Sequence, residues 1–208
     1  RQGISPIARP LDLDQKVRAK LLLVVVACCL FSLTAFSQKG SFAEITQLQG
    51  PQKPRVGFIV QAVPKADPKT GEAKLRQVIG TAYASLRRGT SAAVAAKTAL
   101  RTITSSKLFT ADVGVVVLDK KEKLAAIGSG NFTGKTCSAA AIGSAGAARS
   151  ACEDVEHHAV TVQAAAEGIK GGGDTSVVVM DKFANMAFTR TSTTLIGYLG
   201  SDGKAVVK

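Results

Sequence analysis

The residues that could do chemistry are few, because the 208-residue chain has two histidines and four cysteines. A serine or threonine hydroxyl becomes a useful nucleophile only beside a base. Thr110 and Asp112 stand two apart in TADVGVVVLD, and Ser129 follows in the stretch GSGNFTGK. The run TRTSTT at 189 to 194 could line a pocket with hydroxyls, although threonine is also a good strand residue. His157 and His158 are neighbours on a predicted helix, where side chains diverge by about 100°. They cannot chelate one ion together, so both are expected on the helix surface. GIKGGGD lacks the Gly-Lys-Ser/Thr of a phosphate cradle and reads as a tight turn. No cysteine pair has metal-ligand spacing, and neither a metal nor a cofactor is expected.

The elements that must position these residues follow from apolar periodicity. GFIVQAV, at 57 to 63, is a short apolar run and predicts a buried strand. Leu75, Val78, Ile79, Ala82 and Leu86 recur at helical spacing. Gly89 can end that helix, and Thr90 or Ser91 can cap a second one running to about Ile103. VGVVVLD, the solvated turn KKEK and LAAIG form an antiparallel hairpin whose near-continuous hydrophobicity predicts burial on both faces. A small-residue segment, SAAAIGSAGAARSA, leads into one predicted helix over EDVEHHAVTVQAAAEGI, and a second hairpin follows in TSVVVMDKFANMAFTRTST. The hairpins align 62 residues apart, so helix-then-hairpin occurs twice. The expected fold class is α/β (α+β), with antiparallel hairpins between helix layers.

Residues 21 to 38, LLLVVVACCLFSLTAFSQ, carry no charge and follow the basic stretch KVRAK. At about 1.5 Å per residue they reach roughly 27 Å, near the thickness of a hydrocarbon core. A cleavable secretion signal competes, since Ala35 and Ser37 offer small residues before Gln38. With twenty residues ahead of the run, the expectation is one transmembrane helix. The expected divisions are therefore a basic segment at 1 to 20, the span at 21 to 38, a linker at 39 to 55 and a folded domain at 56 to 208. The basic flank belongs on the cytoplasm-like side, which puts the domain on the lumenal or intermembrane side of an organelle. Thylakoid and mitochondrial inner membrane are the favoured locations.

Of the net charge of +12, the first twenty residues hold +3, leaving +9 for the rest. Such a surface suits anionic lipid or an acidic protein partner. No RNA-recognition motif and no aromatic–arginine interleaving is present, which argues against nucleic acid. Cys137 and Cys152 could pair in an oxidising compartment, but the expectation is two buried thiols.

Four patches, in order, resemble the plant-type asparaginase and isoaspartyl peptidase family of N-terminal-nucleophile hydrolases. AYASLRRGTSAAVAAKTALRTI is similar to that family's paired helices. VGVVVLDKKEKLAA with GNFTGK is similar to the strand opening its catalytic subunit and the loop behind it. AAAIGSAG resembles its Ile-Gly-Ala-Gly segment, and GGGDTSVVVMDKFANMAFTRTSTTLIGYLGSDGK resembles its C-terminal hairpin and tail. The resemblance implies an αββα sandwich and a threonine nucleophile exposed by self-cleavage just before the Val-Gly of the opening strand.

That position is Asp112 here. A carboxylate supplies no hydroxyl for self-cleavage, and without a cut there is no free α-amine to act as base. Ser129 matches the loop's second threonine conservatively. The arginine-containing substrate clamp is replaced by TCSAAA, and the family's His-containing loop is missing. Thr110 could serve as nucleophile only after a slip of the strand by a full pleat period. No catalytic residue is expected, Asp112 and Ser129 being vestigial. The resulting expectation is an inactive asparaginase-like domain acting as an accessory or structural subunit of a membrane complex. The alternatives are an active amidohydrolase of that family, or a basic RNA- or haem-binding module.

Overall fold

The computed structural model describes residues 48–169 and 174–208. The expected span at 21 to 38, the basic segment before it, the start of the linker and the GGG turn lie outside the described residues. No described helix is long and apolar enough to cross a membrane. The architecture is mixed α+β, with two five-stranded antiparallel sheets and four described helices.

The chain begins with β1 (Leu48–Gln49) and β2 (Gly57–Pro64), then α1 (Pro68–Arg87) and α2 (Ala92–Ser105). Next come β3 (Phe109–Leu118), β4 (Leu124–Gly128), β5 (Phe132–Thr133) and β6 (Cys137–Ile142). Helices α3 (Ala147–His157) and α4 (Val162–Gly168) precede β7 (Ser176–Asp181), β8 (Asn185–Thr189), β9 (Leu195–Leu199) and β10 (Ala205–Val207). One sheet has the order β10-β9-β2-β3-β4 and the other β1-β8-β7-β6-β5. Both expected hairpins are present, with Val116 opposite Ala126 in the first and Val178 opposite Phe188 in the second.

Strand parity sorts the apolar residues into separate cores. Phe58, Val60, Val113, Val115 and Val117 pack under α1 and α2, against Leu75, Ile79, Ala96 and Ile103. Their neighbours Ile59, Val116 and Leu118 turn inward to meet Val178, Met180 and Phe188 of the other sheet. On the far side Ala139, Ala141, Val177 and Val179 pack under Ala148, Ala151 and Ala165 of α3 and α4. Strands β2 and β7 and the part of β3 from Val113 are thus buried on both faces, as their apolar runs require, whereas β4, at the sheet edge, is only partly buried along its length and departs from the expectation for its hairpin. The sheets come close where side chains are smallest: a Cβ on Gly114 would lie 2.7 Å from Cβ of Ala140.

The two long helices lie where their periodicity puts them. Pro68 begins α1 behind Asp67, whose carboxylate accepts from the N–H of Lys69 and Thr70 at 3.1 Å each. Ser91 is the cap residue of α2 by position, but its side chain makes no capping bond. The carboxylate that accepts the Ala92 N–H, at 2.9 Å, belongs to Asp119 in the β3–β4 turn.

Several expectations are corrected. The segment EDVEHHAVTVQAAAEGI is two helices rather than one. The chain breaks at Ala159, whose φ is 53°, and Thr161 caps α4 by accepting the Ala164 N–H at 3.1 Å. The small-residue segment contains strand β6, all of it buried. Ala, Ser and Cys are weak strand signals, and burial between a sheet and a helix selects them for size. The C-terminal part of the expected linker is integrated into a sheet, since Leu48 pairs with Met186 and Gln49 with Asn185. Cys137 and Cys152 are joined in a disulfide with a Cα–Cα distance of 5.4 Å, tying β6 to α3, so the expectation of two thiols fails. Residue spacing cannot show that two side chains fifteen apart converge across a turn and a helix.

Candidate functional site

Thr110, Asp112, Ser129 and residues 191 to 194 lie at one end of the two sheets, where β3 begins and β4 and β6 end. Thr110 and Asp112 lie within β3, in the stretch where its register with β2 shifts between the Phe109–Pro64 and Val113–Ala62 pairs. The Asp112 N–H donates to Oγ1 of Thr110 at 3.2 Å, and the Asp112 side chain is exposed. Val113, the next residue, is fully buried.

Ser129 follows Gly128, which ends β4 with φ of 101°. A Cβ on Gly128 would sit 2.0 Å from the Val113 carbonyl oxygen, so only glycine permits this close approach. The approach lets the Ser129 N–H donate to the Val113 carbonyl at 2.8 Å, while the Ser129 carbonyl accepts from Ala141 N–H at 3.3 Å. Ser129 therefore bridges the two sheets through its backbone, immediately beside Asp112. The structure brings Asp112 and Ser129 into one neighbourhood although they lie seventeen positions apart.

A cleft of about 240 Å³ opens at the same end, lined by Val63, Ile142, Asp174 and residues 191 to 194. Of the run at 189 to 194, residues 191 to 194 line this cleft, and Thr189 and Arg190 are not among its lining residues. Thr194 is buried, its Oγ1 2.7 Å from that of Thr191, which lies 3.1 Å from Oγ1 of Thr193. Hydroxyls joined to one another in this way are held in place, but none gains a base. Asp174 is the one titratable residue among those lining the cleft.

Sequence reasoning passed over the polar layer beneath this end. Gln61 is the lone polar residue of GFIVQAV, and its parity turns it inward between the sheets with no exposure. Its Oε1 lies 2.7 Å from the Ser176 hydroxyl, which is also 3.0 Å from the Thr189 carbonyl oxygen. Gln61 Nε2 is buried and finds no acceptor. A half-satisfied amide costs stability, on the order of 1 to 3 kcal/mol. Inward parity of a single Gln in an apolar strand was the available signal.

The other candidates lie elsewhere. Both histidines are exposed at the end of α3, and the His158 ring contacts Asp154 at 3.1 Å. Neither lines the cleft. Among the described residues no three His, Cys, Asp or Glu side chains converge as a metal site. The described cysteines are bonded to each other, which removes them as thiol nucleophiles. A groove of about 260 Å³ between α1 and α2 is lined by Val78, Thr81, Ala82, Ala95, Ala99 and similar residues, none of them titratable.

Two further carboxylates are structural. Asp119 is buried and uses both oxygens, one on the Ala92 N–H and the other on the N–H of Lys121 and Lys123. Glu156 of α3 reaches back to the start of β6, accepting from Thr136 N–H at 2.6 Å and Cys137 N–H at 3.1 Å. Burial pushes the Glu156 carboxyl upward, but these bonds, with help from the Thr136 hydroxyl and Lys135 N–H, outweigh it and hold the group below its usual range. Compared with known proteins, the chain matches no family model and no curated protein.

Proposed function

We propose that this chain is a catalytically inactive asparaginase-like αββα domain, held at a membrane by residues 21 to 38, that serves as an accessory or structural subunit of a larger membrane complex. The observation that carries the reading is Asp112. It occupies the place of the expected threonine nucleophile, within β3, next to Ser129 at the end of the sheets where the hydroxyl-lined cleft opens. A carboxylate there cannot attack a peptide bond as a hydroxyl would, and no histidine stands by to activate a substitute. The four layers of the domain agree with the resemblance drawn from the four sequence patches. The buried Cys137–Cys152 bond supports placing the domain on an oxidising side of its membrane, such as a thylakoid lumen or intermembrane space.

The test takes the full chain, extracted in mild detergent, to intact-mass measurement and to native electrophoresis with and without residues 21 to 36. One uncut polypeptide that runs in a large assembly, and leaves it on the deletion, is the expected result. Cleavage between Ala111 and Asp112, or turnover of asparagine or β-aspartyl dipeptides, overturns the inactive reading. Migration as a monomer at low salt overturns the subunit reading.

A further inference from the structure

The end of the domain opposite the cleft concentrates positive charge around an exposed aromatic ring. Three turns and a helix terminus meet there. Lys120 donates through Nζ to the Arg87 carbonyl oxygen at the end of α1. Arg55 pairs with Glu122 at 3.1 Å, and its guanidinium carbon lies 5.8 Å from the centre of the Phe183 ring. Lys182 places its ammonium 5.2 Å from the same ring. Lys53, Arg88, Lys121 and Lys123 are exposed on the same turns and terminus.

Seven cations thus face three acids, and the acids are committed: Glu122 to Arg55, Asp119 and Asp181 to backbone and side-chain donors of their own turns or of α2. Seven against three leaves an excess of four at this end, out of the nine carried by residues 21 to 208. Phe183, at 51% exposure, is one of two large apolar side chains left in solvent among the described residues. An apolar ring at a turn tip, flanked by Arg55 and Lys182 and with further exposed cations on the adjoining turns, matches a bilayer interface better than a nucleic acid. The ring enters the headgroup layer while the cations reach lipid phosphates.

We infer that this hairpin-turn end docks on an anionic bilayer surface, with Phe183 inserted among the headgroups. The inference rests on the membrane reading above and adds to it the surface and the lipid class. Chain geometry is compatible. Gly50 donates to the Ala184 carbonyl at 3.0 Å, so the described chain starts two residues from the Phe183 turn. The ten residue steps from Gln38 to Leu48 extend to at most about 36 Å.

The chain contains no tryptophan, so Phe183→Trp installs a single fluorescent reporter at the tip. The full-length variant is reconstituted in nanodiscs of phosphatidylcholine with and without phosphatidylserine. In the anionic discs the emission should shift to the blue, be quenched by lipids brominated near the headgroup, and revert at high salt. Combining Lys53→Gln, Arg88→Gln and Lys121→Gln should lower the ratio of docked to undocked protein roughly 100-fold, about fivefold per charge.

Reconstituted protein whose emission is the same in both discs overturns the docking surface and leaves the anchor standing. Failure to enter neutral discs overturns the anchor. In that event salt-sensitive flotation with preformed anionic vesicles still supports the surface, and no flotation overturns it. A response to soluble RNA or heparin without a response to anionic discs also overturns the lipid assignment.

Discussion

The two halves of the molecule use the same turn and fasten it differently. In the first hairpin Asp119 Oδ1 accepts from the N–H of Lys121 at 2.9 Å and of Lys123 at 3.1 Å. In the second, Asp181 Oδ1 accepts from Phe183 at 2.8 Å and Asn185 at 3.0 Å. Each turn places its fourth residue at positive φ, 57° at Glu122 and 65° at Ala184. The second carboxylate oxygen separates them. That of Asp119 reaches α2 and caps it, whereas that of Asp181 accepts locally from Asn185 Nδ2 at 2.8 Å. In the second half the fastening of helix to sheet runs the other way: Glu156 projects from α3 to β6, with the Cys137–Cys152 bond beside it. A repeated local motif therefore carries tertiary load only where a distant donor happens to meet it.

The largest effect expected from this difference is redox-dependent and confined to the second half. Opening the disulfide releases a loop of sequence separation 15, which should cost about 3 kcal/mol and lower Tm by roughly 6 to 12 °C. Both sulfurs are fully buried, so reduction should be slow in the native state and fast in denaturant. Hydrogen exchange after reduction should accelerate at β6 and α3 before β2 and β3. Uniform acceleration would show that the two halves open as one unit and that the comparison has no energetic content.

The next effect separates the twin aspartates. Asp119→Ala removes a helix cap and the turn bonds from a buried position, at about 2 to 3 kcal/mol, while Asp181→Ala at a half-buried turn should cost about 1 kcal/mol. Denaturant midpoints of the two variants measure the gap. Equal losses would mean that the Ala92 bond adds nothing beyond the turn.

The smallest effect is titratable. Because the folded Glu156 carboxyl lies below its ordinary value, its contribution is fully present above about pH 4.5 and is lost as pH falls through the folded value. With solvent screening at this half-exposed site the contribution should be about 1 kcal/mol. Stability measured between about pH 6 and pH 3 should fall less steeply in Glu156→Gln than in the parent chain. An unchanged slope would remove Glu156 from the account of the second half.

Much of the fold was legible because strands and long helices write their faces into the order of residues. VGVVVLD and SVVVMD each fill two cores by parity, and both hairpins form where they were expected. Helix α1 buries Leu75, Val78, Ile79, Ala82 and Leu86, the residues that defined it. Legibility failed where size rather than hydrophobicity carried the signal. β6 is built from Cys, Ser, Ala and Ile, and it is a central strand only because β5 and β7 flank it. At the site, Ser129 lies beside Asp112 through its backbone bond to Val113, while Gln61 and Ser176, 115 residues apart, came to light only when the sheets faced each other.

Residue order alone determined which faces of the strands and of α1 and α2 are apolar, that two equivalent hairpins exist, and that a carboxylate stands at position 112. These are local properties, set by pleat, helical pitch and side-chain chemistry. The tertiary structure alone decided that Asp119 caps a helix 27 residues earlier, that Cys137 meets Cys152, and that Arg55 lies over the Phe183 ring. Each of those depends on segments that become neighbours only when the layers close, so no spacing along the chain encodes them.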